Sequence, residues 1–145
     1  GEKHRVFCMM GDGETCEGSV WEAALNGHAQ GLGNLVAIVD RNHQLMTSFS
    51  EESVKLEPYA AKWKAFGWNV VEINGNDMNA VVDALDHLPS PDSKIPTVIV
   101  ANTVKGHGVS FMEKQIKWHC GSLNEADLTR ALADLDAEFA REMEE

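Results

Sequence analysis

Apolar residues cluster in four short runs separated by helical spacing. Val6-Phe7-Cys8-Met9-Met10 and Leu35 to Val39 are continuous rather than alternating, the pattern of strands covered on both faces of a parallel sheet. Trp68 to Ile73 and Thr97 to Ala101 supply two more strands. Between the first two, Gly18 to Leu32 has helical periodicity, with Val20, Trp21, Ala24, Leu25 and His28 near one face and Gly31 and Gly33 as the stop. Leu56 to Phe66 reads as a second helix, with Pro58 tolerated in its first turn and Gly67 ending it. Asn76-Asp77 caps a third that runs to about Leu88, after which Pro89, Pro91 and Pro96 mark a loop. From Glu125 onward, Leu128, Leu132, Leu135 and Phe139 recur at helical spacing on a charged segment, so an amphipathic terminal helix over 124–142 is expected, packed on the sheet. Strand and helix alternate throughout. The pattern predicts an α/β fold, an open, mostly parallel sheet flanked by helices, as one domain over residues 1–145.

Composition narrows the class. At 145 residues and 43% hydrophobic content the chain has one domain's worth of core. A net charge of −11 argues against sequence-independent nucleic-acid binding, which needs Lys and Arg to neutralise phosphates. No run reaches the roughly 20 apolar residues of a membrane span, and no signal-like series opens the chain, so no membrane partner is expected and a cytoplasmic setting is. Cys8, Cys16 and Cys120 lack paired spacing and read as reduced thiols. Because an apolar strand begins at once and no Met opens the chain, the expectation is a domain lacking its N-terminal portion, or a subunit whose sheet more chain completes.

Candidate chemistry lies at the strand ends. Asp12, in Gly11-Asp12-Gly13, follows the first strand, and Asn42, in Asp40-Arg41-Asn42, follows the second. Each motif alone is an ordinary turn. Their order within about one βαβ unit is more specific, because it puts one carboxylate and one amide oxygen at neighbouring C-terminal strand ends, where open α/β sheets bind ligands. Mg²⁺ takes oxygen ligands and borrows several from phosphate and water, so Asp12, Asn42 and a backbone carbonyl, that of Gln44, would suffice for a magnesium-diphosphate clamp. Thr103-Val104-Lys105-Gly106-His107-Gly108 follows the fourth strand as a glycine-bearing loop of the kind that cradles phosphate, with Lys105 as its cation. His119 stands in a polar loop after Trp118, where solvated and catalytic readings stay open. Glu17 and Glu22, in and just after a first helical turn, read equally as complements to the helix dipole.

Taken together, Gly11-Asp12-Gly13-Glu14, Glu17-Gly18, Trp21-Glu22-Ala23, Asn34-Leu35, Asp40-Arg41-Asn42, Phe66-Gly67-Trp68, Asn74-Gly75-Asn76 and Thr103-Val104-Lys105-Gly106 resemble the thiamine-diphosphate domain of transketolases, in order and over nearly the whole chain. Trp118-His119 through Leu123 resembles that family's Trp-His-Gly-x-x-Leu segment near the donor site, with Cys120 where the family has Gly and Gly121 one place later. The resemblance implies thiamine diphosphate and Mg²⁺ (Ca²⁺ or Mn²⁺ able to substitute) as cofactors. Asp12, Asn42 and the Gln44 carbonyl would be the metal ligands. Gly13 would approach the diphosphate through its N–H beside Glu14, Lys105 and His119 would contact the diphosphate and reacting region, and Glu17 and Glu22 would sit where the family links two active sites across a subunit interface. It implies transfer of a two-carbon ketol unit from a ketose donor to an aldose acceptor. The chain would work with a separate C-terminal half carrying the pyrimidine-binding domain, in an α2β2 assembly. Deoxyxylulose-phosphate synthase, the first component of a 2-oxoacid dehydrogenase, and a non-catalytic assembly module remain alternatives. The sugar stays open.

Overall fold

The two faces of the central strands bury different side chains, and that division organises the fold. In β2 (Leu35–Arg41), Ala37 and Val39 enter one core, joined by Val98 and Val100 of β4 (Thr97–Asn102). Val36 of β2 and Ile99 of β4 enter the other. This is the two-residue period of strand side chains seen from both sides. The first core is closed by Ala24 of α1 (Gly18–Ala29) and by Tyr59 and Trp63 of α3 (Tyr59–Ala65). The second is closed by Ala84 of α4 (Met78–Asp86). Fully buried valines such as Val39 and Val98 each stabilise the fold by about 1.5–3 kcal/mol.

The computed structural model describes residues 4–143. With β1 (Val6–Gly11) and β3 (Asn69–Asn74) the sheet is entirely parallel, in the order β1-β2-β4-β3. Pairing of Gly11 with Asp40 and of Arg41 with Asn102 brings the C-terminal ends of β1, β2 and β4 level. Four aromatic rings fill the space under α1 and α3. Trp21 lies 5.1 Å from Trp63 and 5.5 Å from Phe66, and Trp63 lies 5.1 Å from Trp68. The Trp68 indole N–H donates to the Ala24 carbonyl at 2.8 Å, fastening α1 to the start of β3.

Several boundaries differ from the periodicity. α1 stops at Ala29, ahead of Gly31, which takes the left-handed conformation at φ 64°. Pro58 caps α3 from outside instead of entering its first turn, and the Glu57–Pro58 peptide is cis. The four-residue helix α2 (Ser50–Ser53) has no apolar period and escaped the pattern. Asp77 caps α4 as expected, accepting from the N–H groups of Asn79 and Ala80.

Two expectations are corrected. β1 is an edge strand whose apolar run is not covered on both faces: Phe7 is 52% and Met9 73% exposed. α4 lies over β3 and β4, so it leaves the Phe7–Met9 side open. The terminal helix α5 (Glu125–Glu142) forms with a capping box at Asn124, but packs on the loop after β4 and not on the sheet. The hydroxyl and N–H of Ser110 donate to Asp134 at 2.7 and 2.8 Å, and the Arg130 guanidinium stacks on the Phe111 ring at 4.7 Å. Its Leu128, Leu132, Leu135 and Phe139 stripe is largely exposed. Among the described residues no helix is long and apolar enough to cross a membrane.

Candidate functional site

A cleft of 600 Å³ opens at the C-terminal ends of β1 and β2. Its lining includes Asp12, Gly13, Glu14, Glu17, Asn42, Gln44, Lys105 and His119. These came from four separate stretches of sequence, and parallel pairing together with the return of the loop after β4 brings them together. Glu22 does not join them; it is exposed on α1.

Asp12 is fully buried. The chain leaves β1 through a 3-10 turn (Glu14–Cys16), whose start the Asp12 carbonyl holds by accepting from the N–H and hydroxyl of Thr15. The carboxylate is divided between two surroundings. Oδ2 accepts from Arg41 Nη1 at 2.6 Å and from the His43 N–H at 2.8 Å, whereas Oδ1 is buried with no protein partner. Asn42 is oriented from both ends. Its Nδ2 donates to Asp40 Oδ2 at 3.1 Å, and its Oδ1 accepts the Gln44 N–H at 2.9 Å. Asp40 is itself anchored by the Thr103 hydroxyl. His43 makes this turn possible by adopting φ 62°. Gln44 is buried, and its Oε1 is a further acceptor without a partner.

Buried acceptors are normally satisfied. Here the unpartnered Oδ1 of Asp12 and side-chain Oε1 of Gln44 belong to residues that line one cleft with Asn42, hard oxygen donors of the kind that suit Mg²⁺ or Ca²⁺. Among the described residues no three His, Cys, Asp or Glu side chains gather as a metal site, so a cation here would draw on amide and ligand oxygens. The site fits a hard cation that shares its shell with a phosphate.

The rest of the lining fixes the cleft's charge. Glu14 turns its Oε2 back to accept the Gly11 N–H at 2.6 Å, so this carboxylate braces the turn. Lys105 reaches the cleft from the loop after β4. Gly106 and Gly108 of that loop, at φ 80° and 84°, serve its packing: a Cβ on Gly106 would meet Met112 at 2.8 Å and one on Gly108 would meet Leu135 at 3.0 Å. The phosphate-cradle reading of this loop thus reduces to Lys105. His119 follows a second 3-10 turn (Ile116–Trp118), with Nδ1 buried and without a protein partner. That turn is held by the Trp118 indole N–H donating to the Phe111 carbonyl at 3.0 Å. Gly121 is required beneath it, because a Cβ there would lie 2.6 Å from the Trp118 ring and 2.8 Å from the Lys117 carbonyl. Cys16 also lines the cleft, and burial, then the Asp12 and Glu17 carboxylates, push its thiol up, which keeps it protonated.

Three residues had no assigned role in the sequence. Arg41, Asp40 and Thr103 hold the two candidate ligands, Arg41 through Asp12 and the others through Asn42. For Arg41 a signal existed: alternation along β2 puts it on the same buried face as Ala37 and Val39, where a charge needs partners. Burial works against its charge, but the bonds from Glu57, Asp12 and Glu51 outweigh it and hold the guanidinium more firmly protonated than usual. Glu51 and Glu57 are both held below the ordinary carboxylate range. Desolvation opposes this, and is overcome by backbone N–H donors and Arg41.

A parallel α/β sheet with hard oxygen donors, a lysine and a histidine around one strand-end cleft defines a class of α/β domain whose cleft suits a phosphorylated ligand and a cation. The family described as transketolase, thiamine diphosphate binding domain, matches residues 2–142, and the chain belongs to it. Among relatives, an apulose-4-phosphate transketolase subunit from Phocaeicola vulgatus is 42% identical over 118 residues, 81% of this chain and 42% of that protein. A 6-deoxy-6-sulfo-D-fructose transketolase subunit, SqwG, from Clostridium sp. (strain MSTE9) is 36% identical over 135 residues, 93% of this chain and 49% of that protein. A transketolase crystal structure from Campylobacter jejuni superposes with a TM-score of 0.83 at 27% identity, covering 92% of this chain and 21% of that one. The chain spans about half the length of these two curated relatives.

Proposed function

We propose that this chain is the magnesium- and diphosphate-binding part of a transketolase, which moves a two-carbon ketol unit from a ketose donor to an aldose acceptor. The buried, unpartnered Oδ1 of Asp12 at the end of β1 carries this reading. Asp12 Oδ1, Asn42 Oδ1 and the Gln44 carbonyl would hold Mg²⁺, and Lys105, His119 and the Gly13 N–H would receive the diphosphate. Thiamine diphosphate, when bound, supplies the electron sink for C–C cleavage. The protein's part is to neutralise the diphosphate, fix its orientation and hold His119 where it can bond the donor.

The relatives named as subunits support a partner chain, which here would carry the pyrimidine-binding domain in an α2β2 assembly. Glu17 and Glu22, on the exposed start of α1, would then lie at an interface between copies. Those relatives are named for different sugars, apulose 4-phosphate and 6-deoxy-6-sulfo-D-fructose, and in our reading the partner half would choose the donor. We place the assembly in the cytoplasm, where Cys8, Cys16 and Cys120 stay reduced. The test is to purify the chain with whatever co-assembles, identify the partner by mass spectrometry, and assay ketol transfer with Mg²⁺ and thiamine diphosphate before and after recombining the two. Activity only in the recombined sample is expected. Robust turnover by the 145-residue chain alone would refute the split arrangement.

A further inference from the structure

Arg41 is 1% exposed, and its four contacts are divided between its terminal nitrogens. Nη1 donates to Asp12 Oδ2 at 2.6 Å and to Ser50 Oγ at 2.8 Å, while Nη2 donates to Glu51 Oε1 at 2.8 Å and to Glu57 Oε1 at 2.9 Å. The Tyr59 ring lies 5.0 Å from its Cζ, so the guanidinium plane is held from the side as well. As a structural brace this is a poor choice, because well-packed apolar residues often replace a buried ion cluster without loss of stability. Its geometry does something an apolar residue cannot. With Oδ2 of Asp12 held by both Arg41 and the His43 N–H, the carboxyl cannot rotate, and Oδ1 is left as the free oxygen.

We infer that Arg41 is a positioning residue for the cation: it grips Asp12 by Oδ2 so that Oδ1 is presented as a ligand, and through Glu51 and Glu57 it ties residues 50–57 to that geometry. This rests on reading Asp12 as a cation ligand. An arginine beside a divalent cation would ordinarily repel it. Here three carboxylates, Asp12, Glu51 and Glu57, surround one guanidinium, so the cluster stays anionic and the cation still enters a favourable field. The same contacts explain why the period-free Ser50–Ser53 segment is helical: it is fastened at Ser50 and Glu51 to a residue at the end of β2.

The experiment measures Mn²⁺ affinity of the full chain by electron paramagnetic resonance in the presence of thiamine diphosphate, alongside thermal melts without cofactor. Arg41→Lys keeps the charge but loses the fork, and is expected to bind Mn²⁺ about 10–100-fold more weakly, the usual effect of losing a partner that orients a metal ligand. Glu57→Gln weakens the same cluster away from Asp12. It should lower the melting temperature and, because it removes one charge from the field the cation enters, weaken Mn²⁺ binding, but by less than Arg41→Lys does; an equal or larger loss would overturn the positioning role. Added to Asp12→Asn, Arg41→Lys should cost no more than about a further twofold, since both act through one oxygen. Should Arg41→Lys fail to fold, Arg41→Gln combined with Glu57→Gln, which removes a cation and an anion together, carries the same expected loss of affinity. Wild-type affinity in a folded Arg41 variant, or losses that add fully across Asp12 and Arg41, would overturn the positioning role. Absence of Mn²⁺ binding by the wild-type chain with its partner half present would instead overturn the cation site itself.

Discussion

Asp12→Asn separates what Asp12 does for the fold from what we propose it does for the cation. The substitution keeps the shape and leaves one oxygen to accept from Arg41 Nη1 and the His43 N–H, the bonds Oδ2 makes at 2.6 and 2.8 Å. It then turns an NH₂ group toward the cleft where Oδ1 stood. Both side chains of the Arg41–Asp12 pair are 1% exposed, so the interaction is not discounted for solvent. Stripping a buried charge of its partner outright costs about 3–5 kcal/mol. Arg41 keeps Glu51, Glu57 and a neutral oxygen at position 12, so the cost falls to that of a weakened charged hydrogen bond, about 1.5–3 kcal/mol. For a chain of this size that lowers the melting temperature by about 3–12 °C.

The effect on the cation is of another order. Replacing a carboxylate oxygen by an amide NH₂ removes the ligand and aims a donor at the metal, so affinity should fall by more than about 100-fold, the upper end of what loss of a merely orienting partner costs. Calorimetric titration of Mg²⁺ with saturating thiamine diphosphate and the partner half present reads this directly. Thermal shift gives a second reading, since a ligand at a hundredfold excess over its Kd stabilises by about 2.7 kcal/mol. Wild type should show that shift and the variant should not. A folded Asp12→Asn protein with wild-type Mg²⁺ affinity would refute the assignment of Oδ1 as a ligand.

Four more outcomes follow from the geometry. His119→Ala should lower turnover or raise the donor KM by about 10²–10⁴-fold while leaving the melting curve of the assembly unchanged; wild-type kinetics would return His119 to a bystander. Lys105→Met should weaken thiamine diphosphate binding, by about 1.5–3 kcal/mol, with the difference from wild type shrinking as salt is raised; equal affinity at low salt would contradict the cation's role. Glu57 is held below its ordinary value of 4.5 in the fold, so its stabilising contribution is complete above that pH and is lost as pH falls through the depressed value. Glu57→Gln should therefore flatten the acid limb of a stability-against-pH curve, and a parallel shift of the whole curve would argue otherwise. Gly33→Ala would place a Cβ 1.7 Å from the Ser93 carbonyl oxygen, and should cost about 1–3 kcal/mol in urea unfolding as the loop before β4 is pushed away.

The strands and their ends were legible because parallel-sheet strands advertise themselves as apolar runs and candidate ligands as polar residues soon after. Asp12, Asn42 and Lys105 were found in that way, and all three line one cleft. Distances between elements were not legible. The stripe Leu128, Leu132, Leu135 and Phe139 is genuinely helical, yet periodicity says only that a face is apolar, and α5 took the Ser110–Phe111 loop as its support. The continuous apolar run of β1 implied cover on both faces, with more chain to complete the sheet, and among the described residues its Phe7–Met9 side lies open. Resemblance alone paired Glu22 with Glu17 at an interface between copies; Glu22 is exposed on α1 and stays outside the cleft whose lining Glu17 joins. For Arg41 alternation along β2 could signal burial but not the partners, because positions 12, 50, 51 and 57 come together only once β1 pairs with β2 and the chain beyond β2 folds back.

The acidity of the chain then stops being an obstacle to an anionic cofactor. With a net charge of −11, four of the carboxylates that line the cleft, those of Asp12, Glu14, Glu17 and Asp40, would be expected to repel a diphosphate. Three of them already accept hydrogen bonds from the protein's own donors, Asp12 through Oδ2 alone. Asp12 is held by Arg41 and the His43 N–H, Glu14 accepts the Gly11 N–H, and Asp40 is bonded by Thr103 and Asn42. Glu17 differs from these three in its place at the start of α1, where the helix dipole favours a negative charge. What remains to face a ligand is Lys105, His119, Glu17 and the oxygens that would hold a divalent cation. The acidic surroundings would draw such a cation in, and the cation would in turn supply the positive charge a diphosphate needs, so metal and cofactor should bind as one unit and each should be weak without the other.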